Sequence, residues 1–555
     1  MQRHAVIRSD EAARGLDVTQ NLAQSWRQVT KTIGGLTRVA KVIRDDLSVF
    51  DWIADNAQRR PHAIATIDIH SGRRATYAQM HERVARIAGY LYSIGIAKGD
   101  RVAMLSMNSP DMLDVQFACW RVGACYTPLN FRLTAHELAF MANDSGVKAF
   151  FYDTELAEVI PALQSKTNVA HWITLDPMGG SSDLETIVAT AAPRYDFCPQ
   201  GEDDLCMIMY SSGTTGTPKG VMFHHRQFTY TCAGAVGGLG AGDEMVGLVV
   251  MPLFHIGGLM AFALIAANFG GTTVIVRNFD AGHMLGLFDD AALGVTHFLG
   301  VPAIFNALQA HDNFASTDFS RMKATMCGAE SVPESLLRAW YDRGVTIREG
   351  FGMTETAAGC LSLNDSDIPH KIGAAGKPNR FCDAYVARPD GSEADPEELG
   401  EIWIRGKNVT PGYWNRPDAN ASSFVDGWFR SGDIGRRDAD GYFYIEDRVK
   451  DMYISGGENV YPAEVENVLY EMPEIHEVAV IGLADPKWGE AGCAVVVPVD
   501  GAELTLAAVR AWCGDRLARF KQPSRLEIID ELPRNATGKV LKFELRARFA
   551  AKEDA

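Results

Sequence analysis

The sequence lacks closely spaced cysteine pairs and an excess of positive charge. Its ten cysteines are scattered over 555 residues with no C-x-x-C spacing, so neither a zinc site nor a disulfide framework is indicated. Its 53 lysines and arginines are outnumbered by 70 aspartates and glutamates, a net charge of −17, which argues against general nucleic-acid binding. An anionic small molecule would still bind, because it needs only a local positive patch.

Long hydrophobic runs are also missing. The most apolar stretch, residues 245–276, is interrupted by proline, histidine and glycine. Its longest clean piece, residues 259–267, is far short of the roughly 20 residues that a membrane helix needs. We therefore expect a buried core helix between two strands, at 247–251 and 272–276. The first residues lack the apolar core of a signal peptide, so the expected location is cytoplasmic.

The length of the chain predicts more than one domain, because single cores stop growing beyond roughly 250–300 residues. Helical stretches such as 77–94 alternate with short apolar strands such as 101–106, the rhythm of α/β domains with a mostly parallel sheet. We predict an α/β fold with a large N-terminal domain of mixed sheets and flanking helices over residues 48–449. A small, mobile α+β domain then occupies residues 450–555, and residues 1–47 form a helical extension.

The extension has an amphipathic pattern with two interpretations. Between Trp26 and Ile43, apolar residues recur at steps of three and four with Arg and Lys interleaved, although Gly34 and Gly35 weaken the middle. The favoured interpretation is a helix or hairpin packed on the main body. The alternative is a basic surface within residues 20–46 that makes peripheral contact with a membrane and helps to collect a lipid substrate.

The strongest local signal lies at residues 205–221. An apolar run, 205–210, predicts a buried strand. Residues 211–220 then contain five hydroxyl side chains, three glycines and one lysine, which together supply close backbone N–H groups, further donors and a positive charge. This composition predicts a phosphate-binding loop. It is not a Walker A loop, because Pro218 precedes Lys219 and Gly220 follows it.

Further candidate motifs follow along the chain. Residues 300–302 and 326–330 each have the pattern of a strand end opening into a loop, where open α/β sheets usually bind ligands. Residues 349–355 combine glycines with a threonine hydroxyl and with Glu355, a carboxylate that can hold Mg²⁺. The charged segment 442–451 is suited to a domain boundary, and a Gly-Lys loop lies near the end, at 532–542.

In this order the motifs resemble those of the adenylate-forming superfamily, which contains acyl-CoA synthetases, luciferases and the adenylation domains of peptide synthetases. The resemblance covers essentially everything after residue 48. The most similar group is the AMP-forming acyl-CoA synthetases, with their fatty-acid and aryl-acid members. The string at 455–464 is similar to that of the bacterial fatty-acid branch.

The resemblance implies ATP, Mg²⁺ and coenzyme A as cofactors, with Mg²⁺ held by Glu355. It implies catalytic roles for Lys539, Glu355, Thr354 and Thr214. It assigns nucleotide binding to Ser211, Ser212, Gly213, Thr214, Thr215, Gly216, Thr217, Lys219, Gly328, Ala329, Glu330, Glu349, Gly350, Phe351, Gly352, Met353, Thr354, Asp433, Ile445, Arg448 and Lys539. Phe351 departs from the usual tyrosine, which removes a hydroxyl but keeps a ring for stacking on adenine.

The same resemblance implies that the small domain moves. Lys450 matches the hinge position, and Gly456 and Gly457 match the loop that faces coenzyme A. Lys539 would serve adenylation, in which a carboxylate attacks the α-phosphorus of ATP. The small domain would then rotate and present the glycine loop for attack by the CoA thiol.

The acyl pocket is expected near His255, Val301 and Cys327. Residues 252–258 contain no acid to pair with an ammonium group, so a plain carboxylic acid is expected. The first-choice function is conversion of a medium- or long-chain fatty acid to acyl-AMP and then acyl-CoA. The alternatives are an aryl or alicyclic acid–CoA ligase, similar to 4-coumarate or feruloyl ligases, and an acyl-AMP ligase that loads a carrier protein. The oligomeric state stays open, with a homodimer as one candidate.

Overall fold

The computed structural model describes residues 49–550 apart from 212–217, 329–331, 333, 365, 369, 449–450, 456–457, 486, 515 and 535–539. The elements below belong to the unit Val49–Ala555. The helical extension predicted for residues 1–47 lies outside the described part of the chain.

The described strands, in chain order, are β1 Ile64–Asp68, β2 Arg74–Thr76, β3 Arg101–Leu105, β4 Cys125–Leu129, β5 Val147–Asp153, β6 His171–Leu175, β7 Leu205–Ser211, β8 Lys219–His224, β9 Val246–Val249, β10 Thr272–Ile275, β11 His297–Gly300, β12 Ala324–Cys327, β13 Ile347–Met353, β14 Ala358–Ser362, β15 Lys377–Pro378, β16 Cys382–Ala387, β17 Gly400–Gly406, β18 Phe424–Val425, β19 Trp428–Arg437, β20 Phe443–Arg448, β21 Tyr453–Ser455, β22 Glu458–Val460, β23 Ile475–Asp485, β24 Gly489–Pro498 and β25 Arg525–Ile528.

The α-helices are α1 Trp52–Arg59, α2 Tyr77–Ser93, α3 Pro110–Val122, α4 Ala135–Ser145, α5 Ile160–Lys166, α6 Asp183–Thr190, α7 His225–Leu239, α8 Ile256–Gly258, α9 Ile265–Phe269, α10 Ala281–Asp289, α11 Pro302–Ala310, α12 Glu334–Tyr341, α13 Pro417–Ser423, α14 Pro462–Tyr470, α15 Leu506–Cys513 and α16 Lys542–Ala550. A π-helical segment, Leu259–Leu264, joins α8 to α9, and 3₁₀ turns occupy Thr154–Val159, Asp312–Ala315 and Thr354–Thr356.

Two large sheets form the body of the fold. The six-stranded sheet has the order β6-β5-β3-β4-β7-β8 and is parallel except for the antiparallel pair β7 and β8. The nine-stranded sheet has the order β15-β14-β13-β12-β11-β9-β10-β1-β2. Its strands from β13 to β1 are parallel, and antiparallel strands close both edges. Strand β4, for example, is buried along its whole length, as is usual for strands inside parallel sheets.

Two smaller sheets follow, and their strand pairs are antiparallel except for the parallel pair β24 and β25. One contains β16-β17-β19-β18 with β20 on β19, and the other contains β22-β21-β24-β23 with β25 on β24. In β23 the side chains alternate between two cores, as the period of a strand requires. Val478 and Val480 share a cluster with residues of α14, whereas Ala479 and Ile481 share one with residues of α16. Mixed sheets with flanking helices confirm the predicted fold class.

The apolar stretch at 245–276 folds as expected. It consists of β9, the helical run from Ile256 to Phe269, and β10. The π-helical residues Leu259–Leu264 are all buried, so this run is a core helix. Over the described residues, no helix has the length and apolar character needed to cross a membrane.

Candidate functional site

The phosphate-loop candidate joins two antiparallel strands. Ser211, the last residue of β7, pairs with Lys219, the first residue of β8. The Ser211 hydroxyl lies 3.5 Å from the Lys219 carbonyl oxygen, to which it donates. The buried strand predicted for 205–210 is therefore present as β7. Ser212 to Thr217, including Thr214, lie outside the described residues, so their roles stay predictions.

Residues 411–415 pack along the outer side of β8. The N–H of Met222 donates to the Gly412 carbonyl at 3.0 Å, and the N–H of Trp414 donates to the Gly220 carbonyl at 2.7 Å. Val221 and Tyr413 form a bridge between these two bonds. The segment thus extends the hairpin of β7 and β8, which we call the phosphate hairpin.

The same segment reaches the turn that carries Glu355. This turn, Thr354–Thr356, separates β13 from β14, and the N–H of Thr410 donates to the Glu355 carbonyl at 2.7 Å. The amide of Asn408 donates to the Thr356 carbonyl at 3.1 Å. Residues remote in sequence therefore hold the Glu355 turn against the phosphate hairpin.

The backbone of the Glu355 turn is tightly constrained. Ala357 and Ala358 have positive φ angles of 51° and 81°, and residues other than glycine rarely adopt this region of backbone conformation. A Cβ atom added to Gly352 would lie 1.5 Å from the Ala358 carbonyl oxygen, so the close pairing of β13 with β14 requires glycine there. Such constrained backbone is concentrated at functional sites.

Tyr413 connects the two parts of the site. Its hydroxyl donates to Oε1 of Glu355 at 2.9 Å. Its ring centre lies 5.3 Å from the ammonium of Lys219, within the range of a cation–π contact. Burial, together with the nearby Glu355 charge, raises the pKa of Tyr413, so its hydroxyl remains a donor at neutral pH. The structure therefore brings Lys219 and Glu355 to one junction.

The motifs at 300–302 and 326–330 each contain the end of a strand, as predicted, and the two strands are neighbours in the nine-stranded sheet. Gly300, Cys327 and Glu349 are in register on β11, β12 and β13. Val301 and Gly328 follow directly, and Val301 and Cys327 are buried. Because the carboxyl ends of parallel strands meet at one edge, Gly300 and Cys327 share the edge where ligands bind in such sheets, and Glu349 within β13 is level with them.

His255 begins α8 beyond the carboxyl end of β9, which neighbours β11 in the same sheet. Its Nδ1 accepts the N–H of Gly257 at 3.3 Å. The three residues predicted for the acyl pocket therefore lie at the carboxyl ends of adjacent parallel strands: Cys327 ends β12, and Val301 and His255 follow β11 and β9. Their contact with an acyl group stays a prediction.

Glu349 lies among apolar side chains at this edge. Burial raises the pKa of Glu349 to about 7, and one carboxylate oxygen accepts the N–H of Gly373 at 2.8 Å.

One hydrophobic cluster is shared by residues predicted from two separate motifs. It contacts Phe351 and Met353 of the first motif and Ile445 of the second.

Three further nucleotide-binding candidates, Asp433, Ile445 and Arg448, lie on neighbouring strands. Asp433 on β19 is paired directly with Arg448 on β20, and Ile445 is paired with Gly435. Asp433 is buried, and its N–H donates to the Ser431 hydroxyl at 3.0 Å. The side chain of Arg448 is outside the described set, as is Lys450, so the nucleotide-binding and hinge roles stay predictions.

The residues on either side of Lys539, which is predicted to be catalytic, are anchored to the rest of the small domain's fold. Arg534 and Val540 form a bridge, and the N–H of Leu541 donates to the Pro533 carbonyl at 2.8 Å. Arg534 pairs with Glu477 at 2.8 Å, and Lys542 pairs with Glu466 at 2.7 Å. Lys539 lies between these anchors in the sequence but is outside the described residues. Four other predicted site residues are also outside the described residues: Gly456 and Gly457 of the CoA-loop candidate, Ala329 and Glu330.

Sequence reasoning missed Asn108, which fixes the backbone leading to His255. Its amide donates to the carbonyls of Met251 at 3.0 Å and Val276 at 3.2 Å. Its oxygen accepts the N–H of Leu253 at 2.8 Å. Asn108 is buried and follows β3 of the six-stranded sheet, so it links the ligand edges of the two large sheets. An Asn-Ser-Pro string at a strand end was the available signal.

With the acid and ATP that the motif resemblance implies as substrates, replacing Asn108 by alanine is expected to raise KM for the acid about tenfold, with KM for ATP within about twofold of wild type. The variant leaves buried backbone groups without their hydrogen-bond partner, at a cost in stability of about 1–3 kcal/mol for each group. It also removes the hydrogen bonds that fix the segment before His255. Steady-state kinetics with the acid and ATP varied separately measure both constants. Asn143→Ala is the control, because its amide donates to the Lys166 carbonyl at an exposed position. Equal changes in the two KM values would contradict the assignment.

Comparison with known proteins agrees with this geometry. The family described as AMP-binding enzyme matches residues 53–414, and its C-terminal domain matches residues 464–539. A feruloyl-CoA synthase of an Amycolatopsis species is 42% identical over 498 residues, covering 90% of this chain and 98% of the relative. The long-chain-fatty-acid–CoA ligase FadD13 of Mycobacterium tuberculosis is 37% identical over 491 residues, covering 88% of this chain and 96% of the relative.

Solved structures show the same architecture. ATP-bound MatB from Rhodopseudomonas palustris superposes with a TM-score of 0.84 at 32% identity, covering 90% of this chain and 99% of that one. A fatty acyl CoA synthetase of Mycobacterium tuberculosis gives a TM-score of 0.72 at 35% identity, covering 90% of this chain and 98% of that one.

Proposed function

We infer that this chain, which belongs to the AMP-binding enzyme family, joins CoA to an acid with an apolar body and uses Mg²⁺ as cofactor. It is one of the acyl-CoA synthetases of the adenylate-forming superfamily, and it is an ATP-dependent acid–CoA ligase. The observation that carries this proposal is the contact of Tyr413 with both Glu355 and Lys219. This contact holds the Glu355 carboxylate and the Lys219 ammonium group together beside the phosphate hairpin.

The described donors suit Mg²⁺ bound together with a nucleotide. Glu355 offers one carboxylate and Thr354 one hydroxyl, and Mg²⁺ usually combines one or two carboxylates with phosphate oxygens and water. Over the described residues, no cluster of three or more His, Cys, Asp or Glu could bind a metal by itself. When bound, Mg²⁺ would neutralise phosphate charge.

The first half-reaction must bring two anions together, the acid carboxylate and the α-phosphate of ATP. Positive charge and N–H donors at fixed positions lower this barrier most. Lys219 and the hydroxyls of the phosphate hairpin would bind the phosphates, and Glu355 would hold the cation. Lys539 would bridge the attacking carboxylate and the α-phosphate. Pyrophosphate would leave and acyl-AMP would remain.

In the second half-reaction the CoA thiol attacks the acyl carbon and AMP leaves. We propose that the domain of residues 450–555 rotates about Lys450 between the steps, replacing Lys539 with Gly456 and Gly457. The C-terminal family match at residues 464–539 supports a separate small domain. One active-site cleft would thus perform two reactions with two different lids, first the loop of Lys539 and then the loop of Gly456 and Gly457.

Two classes of acid are supported equally. The names of three relatives, feruloyl-CoA synthase, indoleacetate–CoA ligase of Aromatoleum aromaticum and 2-succinylbenzoate–CoA ligase of Geobacillus kaustophilus, refer to aromatic acids. FadD13 supports a long-chain fatty acid. Buried Val301 and Cys327 at the ligand edge favour an apolar body in either case. A relative from Streptomyces coeruleorubidus, 36% identical, is a fatty acid–[acyl-carrier-protein] ligase, so a carrier protein remains the alternative acceptor.

Release of pyrophosphate and AMP across a panel of acids tests this function. The panel contains ferulate, indole-3-acetate, dodecanoate and palmitate, each with Mg²⁺·ATP and with or without CoA. Turnover that requires CoA and peaks on one acid identifies the substrate class. Pyrophosphate release that CoA does not stimulate would overturn the assignment of CoA as acceptor.

Two further proposals concern the surroundings of the enzyme. Peripheral membrane contact through residues 20–46 would suit a lipid substrate, and co-sedimentation with liposomes before and after deletion of residues 1–47 tests it. Unchanged sedimentation would exclude a contribution of this segment to membrane binding. A homodimer is tested by light scattering of the full chain.

A further inference from the structure

Tyr413 has a rigid position that does not depend on its own hydroxyl. Its N–H donates to Oδ1 of Asn420 at 2.7 Å, and the Asn420 amide donates back to the Tyr413 carbonyl at 3.1 Å. The ring is largely buried, with 7% of the residue exposed. The Tyr413 backbone is therefore fixed by bonds to its own segment and by its bridge to Val221.

The neighbouring residue adds a second anchor. The N–H of Trp414 donates to the Gly220 carbonyl, and its indole N–H donates to the Asp144 carbonyl at 3.0 Å. Asp144 also accepts the hydroxyl of Tyr210, on β7, at 2.7 Å. Both strands of the phosphate hairpin are thus connected to the segment that carries Tyr413.

We propose that Tyr413 is a positioning residue for adenylation, which holds the Glu355 carboxylate in a fixed place relative to Lys219 of the phosphate hairpin. The inference rests on the proposed function of Glu355 as the Mg²⁺ ligand. A glutamate side chain has several rotatable bonds, and fixing them costs conformational entropy. A charge-assisted hydrogen bond from a fixed hydroxyl meets that cost before the nucleotide arrives.

Two substitutions separate the two contacts of Tyr413. Tyr413→Phe removes the hydroxyl and keeps the ring near Lys219. Tyr413→Leu removes both. Tyr77→Phe is the matched control, because the buried Tyr77 hydroxyl donates to the carbonyls of Gly271 at 2.7 Å and Ala266 at 3.2 Å, away from the phosphate hairpin.

Calorimetric titration of a non-reactive ATP analogue at increasing Mg²⁺ gives the first measurement. We expect Tyr413→Phe to raise the Mg²⁺ concentration for half-maximal analogue binding about tenfold, with weak binding in EDTA unchanged. ATP–pyrophosphate exchange should fall about tenfold, whereas thioester formation from supplied acyl-AMP should stay within about twofold. Tyr413→Leu should also weaken binding of the analogue in EDTA, because the aromatic ring that contacts the Lys219 ammonium is lost. Tyr77→Phe should change none of these values.

A Tyr413→Phe enzyme with the wild-type Mg²⁺ dependence would overturn the proposal. Equal losses in the two half-reactions would do the same, because they would indicate a general packing defect, which thermal unfolding of both phenylalanine variants would reveal. The proposed function is judged separately, from exchange by the wild-type enzyme.

Discussion

Replacing Lys539 by alanine is expected to lower the rate of acyl-adenylate formation by roughly 10²–10³-fold, the scale of losing one preorganised charge donor. Adenylation brings a carboxylate against the α-phosphate, so an ammonium between them stabilises charge that develops in the transition state. Attack of a thiol on acyl-AMP does not involve that pair of anions. Thioester formation from supplied acyl-AMP should therefore stay within about twofold of wild type.

Rapid-quench measurement of each half-reaction tests this division. Lys542→Ala is the useful control, since Lys542 anchors the end of the same loop through Glu466 at 2.7 Å. If anchoring alone explained the effect, the two variants would behave alike. A Lys539→Ala enzyme that lost both half-reactions equally would refute the separate roles of the two lids.

Replacing Glu355 by glutamine is expected to lower adenylation by a similar factor, roughly 10²–10³-fold. Glutamine keeps an oxygen that can accept the Tyr413 hydroxyl, now 2.9 Å from Glu355, so the geometry of the junction should persist. What is lost is the negative charge that would hold Mg²⁺ beside the phosphates. The defect should therefore appear as a loss of Mg²⁺-dependent nucleotide binding.

The measurement is binding of a non-reactive ATP analogue with and without Mg²⁺, followed by ATP–pyrophosphate exchange. Glu401→Gln provides a matched charge loss, because Glu401 accepts the Trp403 indole N–H at 3.0 Å and pairs with Arg430 at 2.8 Å. Wild-type Mg²⁺ dependence in Glu355→Gln would show that the cation is held elsewhere. Both variants should fold, since each side chain stays the same size.

The sequence by itself determined the type of chemistry and the order of its parts. Residues 211–220 predict an anion-binding loop through their hydroxyls, glycines and lysine, which are local properties of the chain. The buried strand β7 and the core helical run after β9 were also predictable, because hydrophobic periodicity and helix breakers act over a few residues. The order of the motifs was enough to indicate the adenylate-forming family.

The tertiary structure alone decided which of these parts touch. Tyr413 and Glu355 are 58 residues apart, and Asn108 and Leu253 are 145 residues apart. No local pattern encodes such pairs, because strand order and register depend on how whole sheets pack. The segment at 411–415 extends the phosphate hairpin along β8, although it is about 190 residues away in sequence. Sequence thus supplied the reactive groups, and long-range packing supplied their positions.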